Sequence, residues 1–418
     1  MARGPLSSAR AVGFALLALL ALSAAVPIAT VSLAAAAPAA TAAPAADVPV
    51  TTIRLAEEWR AGGADDDIFF GSVARVATDT AGRLHVLDSQ LSEVHVYSPD
   101  GEHLTVLGRE GDGPGEARRP SDFFHEPDGT VCLLQGFPGK LVRITADGRP
   151  GGSAEYQAAG AATPGQFAVL VSGRAHPVGM TLAGIRMSFG GGSESRQVYF
   201  LDICDRDGKR QHSVLEKEHV INYADLRFDE AEMDFVWGRY AVGPDGRIYH
   251  APERNAYRIV VASPTGEQER AIEQPYQPLP RTADQTERAR RIIEAVGANY
   301  PAPMKGLRTE PAEPAITGLH VRPDGSLWVL TSRGSRERGA GIYTVVDEIG
   351  PDGRLVRRVA LAAPGDPDRD QLFFLADGRA VIVTGALDAW LNQQGVAAGE
   401  AAAADEAAPL ELICYRME

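Results

Sequence analysis

Short runs of alternating apolar and polar residues recur along the chain, and each is entered through a glycine turn. "TDTAGRLHVLD", "EPDGTVCLLQ", "GPDGRIYHAP", "RPDGSLWVLT" and "LADGRAVIVT" form one series. In each, the turn precedes a run rich in Val, Ile, Leu and aromatics, the sequence form of a tight β-hairpin whose glycine takes a positive φ. A second series alternates with the first: "SPDGEHLTVL", "TADGRPGGSAEY", "DRDGKRQHSVL", "SPTGEQERAI" and "GPDGRLVRRVAL". The turn glycines pair at regular spacing, Gly82 with Gly101, Gly129 with Gly148, Gly246 with Gly266 and Gly325 with Gly353. The last pair is lengthened by "RGSRERGAG", Arg333 to Gly341.

Each pair marks one four-stranded antiparallel meander. The stretch between Gly129 and Gly246 has room for one more, built less regularly from "FAVLVSGRAHPVGMTLAGIRMSF" and "RQVYFLDICDRDGKRQHSVLE". That gives five complete units. A sixth, "DQLFFLADGRAVIVTGALDAW" with "LELICYRM", has three strands, and "TTIRLAEEW" (Thr51 to Trp59) is the candidate fourth. Pairing the two ends closes a ring and satisfies an otherwise open edge. The predicted fold is an all-β, six-bladed β-propeller over residues 47–418, with one helical insertion between blades four and five.

The segment "GRLHVLDSQLSEVHVYSPDG", Gly82 to Gly101, resembles the NHL repeat: a glycine, an apolar strand ending in Asp, a polar loop, a second apolar strand and a closing Asp-Gly. The chain after residue 50 is similar to exported bacterial six-bladed propellers that carry a "G-x-G-x-G-P-G-E-F" segment after blade one and a helical insertion after blade four. Ala117 stands here where that pattern has Phe. The resemblance implies the fold; these relatives are largely without an assigned activity.

The glycine-rich "GREGDGPGEARRP", Gly108 to Pro120, invites a phosphate-loop reading. It lies between blade one and blade two, where no helix begins, and it lacks a Gly-Lys-Ser/Thr ending. It is read as a blade connector. The short turns fall on one face of the ring, and the connectors and second-to-third-strand loops on the other, which gathers all the irregular segments. One of these, "TADQTERARRIIEAVG", opens on a capping box at Thr282 and Gln285 and is expected to be a helix over 282–297. Its Ala289, Ile292, Ile293 and Val296 share one side. Residues 395–408, nearly all Ala and acidic, are expected to be a disordered excursion.

Residues 1–46 carry Arg3 and Arg10 as their only charges, ahead of an apolar run and Ala/Pro-rich continuation. This is the pattern of an export signal and tether, with an uncleaved anchor as the alternative. The expected location is the periplasm or outside the cell. Beyond that segment 39 basic residues face 55 acidic ones, a net charge of −16, which argues against nucleic-acid and anionic-membrane partners. Cys132, Cys204 and Cys414 are an odd number without a close pair and read as buried thiols.

Candidate binding residues on the irregular face are Asp88, Arg118, Arg119, Asp122, Arg254, Asn255, Arg333, Arg336 and Arg338; the arginines suit a carboxylate or acidic peptide. The reading that follows is an exported, monomeric, non-catalytic binding or scaffold propeller for a peptide, protein or glycan, needing no cofactor. The alternative is a divalent-metal-dependent hydrolase or lactonase with calcium in the central channel. It would need several carboxylates on the innermost strands, and apart from the turn residues those strands offer Asp122. No Ser/His/Asp or Cys/His grouping falls on one face.

Overall fold

The computed structural model describes residues 48–64, 66–158, 166–189, 192–394 and 409–418. Residues 1–47, with the stretch expected to be an export signal and tether, and the alanine-rich 395–408, expected to be a disordered excursion, lie outside the described residues. Six four-stranded sheets follow one another. Blade one is Val73–Thr78, Leu84–Asp88, Glu93–Tyr97 and His103–Leu107. Blade two runs from Pro120–His125 to Pro150–Glu155, blade three from Gln166–His176 to Arg210–Asn222, blade four from Tyr240–Val242 to Gln268–Gln274, and blade five from Ile316–Val321 to Leu355–Ala362. Within each, consecutive strands pair antiparallel.

Blade six combines both ends of the chain. Gln371–Phe374, Arg379–Thr384 and Glu411–Met417 are followed outward by Val50–Gly62. Leu55 to Gly62 pairs antiparallel with Met417 to Glu411, while Val50 to Arg54 runs parallel to Arg358 to Ala362 of blade five. The same strand touches blade one. Trp59 stacks on Tyr97 at 5.4 Å and donates from Nε1 to the carbonyl of Pro99 at 3.0 Å. One strand thus ties blades five, six and one, and pairs the Glu411–Met417 edge that the three C-terminal strands alone would leave open.

The turns explain the register. Gly82 and Gly129 sit at φ +75° and +83°, the left-handed region that a glycine enters without a Cβ clash. Asp79 accepts from the backbone N–H groups of Ala81 and Arg83, fixing its turn. Middle strands such as "LHVLD" and "VCLLQ" are buried throughout because neighbouring blades cover both their faces, while outer strands such as "HLTVL" are largely exposed. Blade three has longer strands, of 11 to 13 residues, and its first turn is "HPVG" rather than Asp-Gly.

The expected helix forms over Ala283–Ala298. Thr282 Oγ1 accepts from the Gln285 N–H and Gln285 Oε1 from the Thr282 N–H, a complete capping box. Its end differs from expectation: Gly297 is inside the helix, against Phe228 and Met304, and Asn299 caps it. Ile292, Ile293 and Val296 are buried in one cluster with Tyr199 and Met187 of blade three, Trp237 and Leu391, and Ala289 is buried as well. A second helix, Ala386–Gln393, entered through Gly385, interrupts blade six where strand sequence was expected to continue. No helix among the described residues is long and apolar enough to cross a membrane. The three cysteines are buried and unpaired, and burial pushes the Cys132 and Cys414 thiols up to about 12.

Candidate functional site

Both helices lie on the connector face, and between them and the rim is a cavity of about 370 Å³. Its floor is the start of innermost strands, with Ser72, Ser121 and Thr317. One wall is blade five's Ser332, Ser335 and Arg336; the other is Asp368, Arg369 and Asp370. The roof carries Gln285, Arg288, Ile292, Trp390 and Gln393. Asn299 donates from Nδ2 to Gln394 Oε1 at 2.8 Å, joining the two helices across it. Hydroxyls, amides and charges of both signs surround one flat aromatic ring, an arrangement suited to a polar ligand with one apolar face.

A chain of charges, buried at Glu230, Arg254 and Arg281 and half-buried at Arg288 and Asp368, holds this roof. Glu230 accepts from Arg281 at 2.6 and 2.7 Å, from the Glu310 N–H at 2.8 Å, and pairs with Arg254 at 2.9 Å. Arg281 continues to Glu313 at 3.2 Å. Glu313 meets Arg288 at 3.4 Å, and Arg288 reaches Asp368 at 2.8 Å in the cavity wall. Burial lowers the Arg254 guanidinium from its ordinary value, with Glu230 opposing. Asp234, paired with Arg239 at 2.7 Å, is pushed up to about 6 by burial against the pull of that arginine.

The candidate residues named from sequence do not converge. Asp88 is fully buried, and its carboxylate accepts from the N–H groups of Gly71, Ser72, Gln90 and Leu91; it caps a strand end. Arg254 is not a surface group but part of the Glu230 network, because the insertion covers it. Asn255 is exposed beside it. Arg118 is spent on Asp112 at 2.9 and 2.8 Å. Arg333 donates to the Gln277 carbonyl, tying its loop to the segment after blade four, and Arg338 donates to the Ser335 and Ile342 carbonyls, bracing its own loop. Arg119 and Arg336 do line the cavity. Sequence reading missed Glu230, Arg281, Glu313, Asp368 and Trp390; the capping box was the signal that marked their neighbourhood.

The glycine loop folds around its own Glu116. Its carboxylate accepts from the Gly113 N–H at 2.9 Å and from Arg109 Nε at 2.7 Å, and a Cβ on Gly111 would collide with it. Ala117, where the resembling family has Phe, is buried between blades one and two. The Gly113 N–H that a phosphate would need is already taken by the Glu116 carboxylate.

In the central channel, Asp122 of blade two faces Arg75 of blade one and Arg174 of blade three. Asp122 Oδ2 accepts from Arg174 Nη1 at 2.7 Å and from the Gly173 N–H at 3.1 Å; Oδ1 lies 3.7 Å from Arg75 Nε. Arg174 lies over the Tyr240 ring at 5.3 Å. Burial, then the charge of Arg174, lowers the Arg75 guanidinium to about 10. Among the described residues no group of three or more His, Cys, Asp or Glu is placed to hold a metal ion. A carboxylate already facing two guanidiniums is a poor cation ligand.

Sequence comparison agrees with this architecture. Residues 64–150 match the family DUF5128, described as a 6-bladed beta-propeller. Solved propellers similar to the whole ring include a member of the DUF4221 family from Bacteroides vulgatus, at 11% identity over 88% of this chain and 98% of that one, with a TM-score of 0.46. A putative exported protein from Bacteroides fragilis is similar at 11% identity over 88% and 99%, with a TM-score of 0.44. The calcium-binding protein regucalcin from Agrobacterium tumefaciens is similar at 14% identity over 88% and 96%, with a TM-score of 0.39. No curated protein matches the sequence. At these identities and scores no activity passes from those propellers to this one.

Proposed function

We propose that this propeller is an exported, non-catalytic binding protein that takes a polar portion of a peptide, protein or glycan into the connector-face cavity. Export rests on Arg3 and Arg10 ahead of the apolar run. The observation that carries the reading is the convergence of two inserted helices over one cavity of about 370 Å³, inside the range of about 300–1,000 Å³ in which small-ligand sites fall. Its lining offers donors and acceptors on several sides and Trp390 as a flat apolar surface, but no activated nucleophile or general base aimed at a common point.

Glycan and peptide arrays probed with the protein, followed by titration of the hits, test this. Trp390→Ala removes the stacking surface and Gln393→Arg fills the cavity; each is expected to weaken a genuine ligand about tenfold or more. Hits whose affinity is indifferent to both substitutions would place binding elsewhere and remove the cavity from consideration.

A further inference from the structure

The channel layer beneath the cavity holds two guanidiniums against one carboxylate. Arg75 forms no hydrogen bond with any described residue; its Nε is buried without a partner, and its nearest carboxylate oxygen is the one 3.7 Å away. Its side chain retains 27% exposure, so solvent reaches part of it. Arg174 spends one nitrogen on Asp122 and on its neighbour's carbonyl, at 2.7 and 2.6 Å, and retains 21% exposure. An arginine carries five N–H donors, and leaving them without acceptors in a partly desolvated site costs free energy. Exposed arginines elsewhere in this acidic chain are matched with carboxylates, as Arg118 and Arg247 are.

We infer that the axial channel is a carboxylate-binding site, in which Arg75 and Arg174 receive one carboxyl group of a ligand alongside Asp122. A guanidinium fork presents paired donors that match the two oxygens of a carboxylate. Asp122 leaves the cluster one positive charge in excess, which a monoanion neutralises. A phosphate dianion would set a second negative charge against Asp122. The path in is short: Ala74 and Ser121 line the floor of the cavity, and Arg75 and Asp122 are the next residues along the same strands. The carboxyl can belong to a small free acid or to the C-terminus of a peptide. The inference stands independently of what the cavity itself binds.

Thermal unfolding of the protein at constant ionic strength, with acetate replacing chloride, provides the test, since a ligand that binds only the native state raises the Tm saturably. Acetate is expected to raise it above chloride. Arg75→Gln should weaken acetate about tenfold or more, the worth of one charge-assisted pair, and Asp122→Asn, which removes a competing charge, should tighten it. A purely structural Asp122 would give no such gain. If Arg75→Gln does not fold, Arg75→Lys keeps the charge and loses the fork, and it too should bind acetate more weakly. Trp390→Ala should leave acetate binding intact, separating this site from the cavity reading. A tripeptide with a free C-terminus that binds where its amide does not identifies a chain end as the source; equal strength of tripeptide and acetate identifies a small acid. Acetate no better than chloride, or unchanged in Arg75→Gln, overturns the assignment.

Discussion

Glu230 and Arg281 face each other through two parallel hydrogen bonds, 2.6 and 2.7 Å long, although 51 residues separate them. Glu230 ends the approach to blade four and Arg281 begins the helical insertion, so this pair fastens the insertion to the ring. Both side chains are at most 4% exposed. Removing one partner of a buried pair leaves an uncompensated charge, at a cost of about 3–5 kcal/mol. Glu230→Ala leaves buried Arg254 without a carboxylate and Arg281 with Glu313 alone, and is expected to destabilise the protein by about that amount, read from urea unfolding. A change within the ordinary scatter of surface substitutions would show that the insertion is held by its apolar stripe alone.

Ring closure makes a separate prediction. Deleting residues 48–62 exposes the Glu411–Met417 strand along the edge where Leu55 to Gly62 now pair. It also uncovers the side chains packed with Leu55 and Ala61. An unpaired edge beside exposed apolar surface seeks another chain. The truncated protein should show a lower Tm and concentration-dependent association in light scattering. A monomer as stable as the parent would mean the strand is dispensable to the fold.

The alternative of a metal-dependent hydrolase also has a direct check. With Asp122 facing two arginines, calcium is expected to give no saturable rise in Tm. A rise that disappears in Asp122→Asn would revive that chemistry.

How much of this was readable beforehand depends on the distance over which the information acts. Glycine turns such as those at Gly82 and Gly129 act over four residues, so blades one, two, four, five and six announced themselves. Blade three was harder because "HPVG" makes its first turn without the Asp-Gly pair. The Thr282 cap acts within one helical turn and located the insertion. The Ala386–Gln393 helix is only eight residues long and follows a strand directly, so its short apolar pattern could not be told from strand. Glu230 and Arg281 come from segments on either side of blade four, and Arg75 and Asp122 from different blades. Periodicity within one strand says which face a residue takes, not what the next blade sets opposite it.

The glycine loop yields a prediction from its internal contacts. Glu116 draws together Arg109 and the Gly113 N–H. Glu116→Ala should therefore loosen the loop and speed its proteolysis within Gly108 to Pro120. Nucleoside triphosphates and dinucleotides should leave the Tm of the parent unchanged. A nucleotide-dependent stabilisation lost on changing Gly113 would contradict the connector reading.

Stability should also fall as the solution becomes mildly acidic. His125, His219, His250 and His320 are lowered from 6.5 to about 4, in each case first by burial. Neighbouring positive or ionisable groups add to it: His85 for His125, Lys217 for His219, Arg258 for His250 and Arg75 for His320. A group whose folded value is depressed binds protons more readily in the unfolded chain, so its contribution is full above 6.5 and is lost as pH falls toward 4. Asp234 acts the other way. Its folded value is raised to about 6, so the native state takes up a proton there and gains stability as pH drops. His85, His95 and His176 are also lowered and Asp202 and Asp347 also raised, and seven histidines against three aspartates give a net loss between pH 6.5 and 4. Each proton contributes a slope of up to about 1.4 kcal/mol per pH unit. Urea midpoints measured across this window should decline with acidity, and His250→Leu, at a fully packed position, should flatten the decline by one proton's worth. A slope unchanged by that substitution would mean that His250 takes up its proton as readily in the folded chain as in the unfolded one, leaving the decline to the other buried histidines.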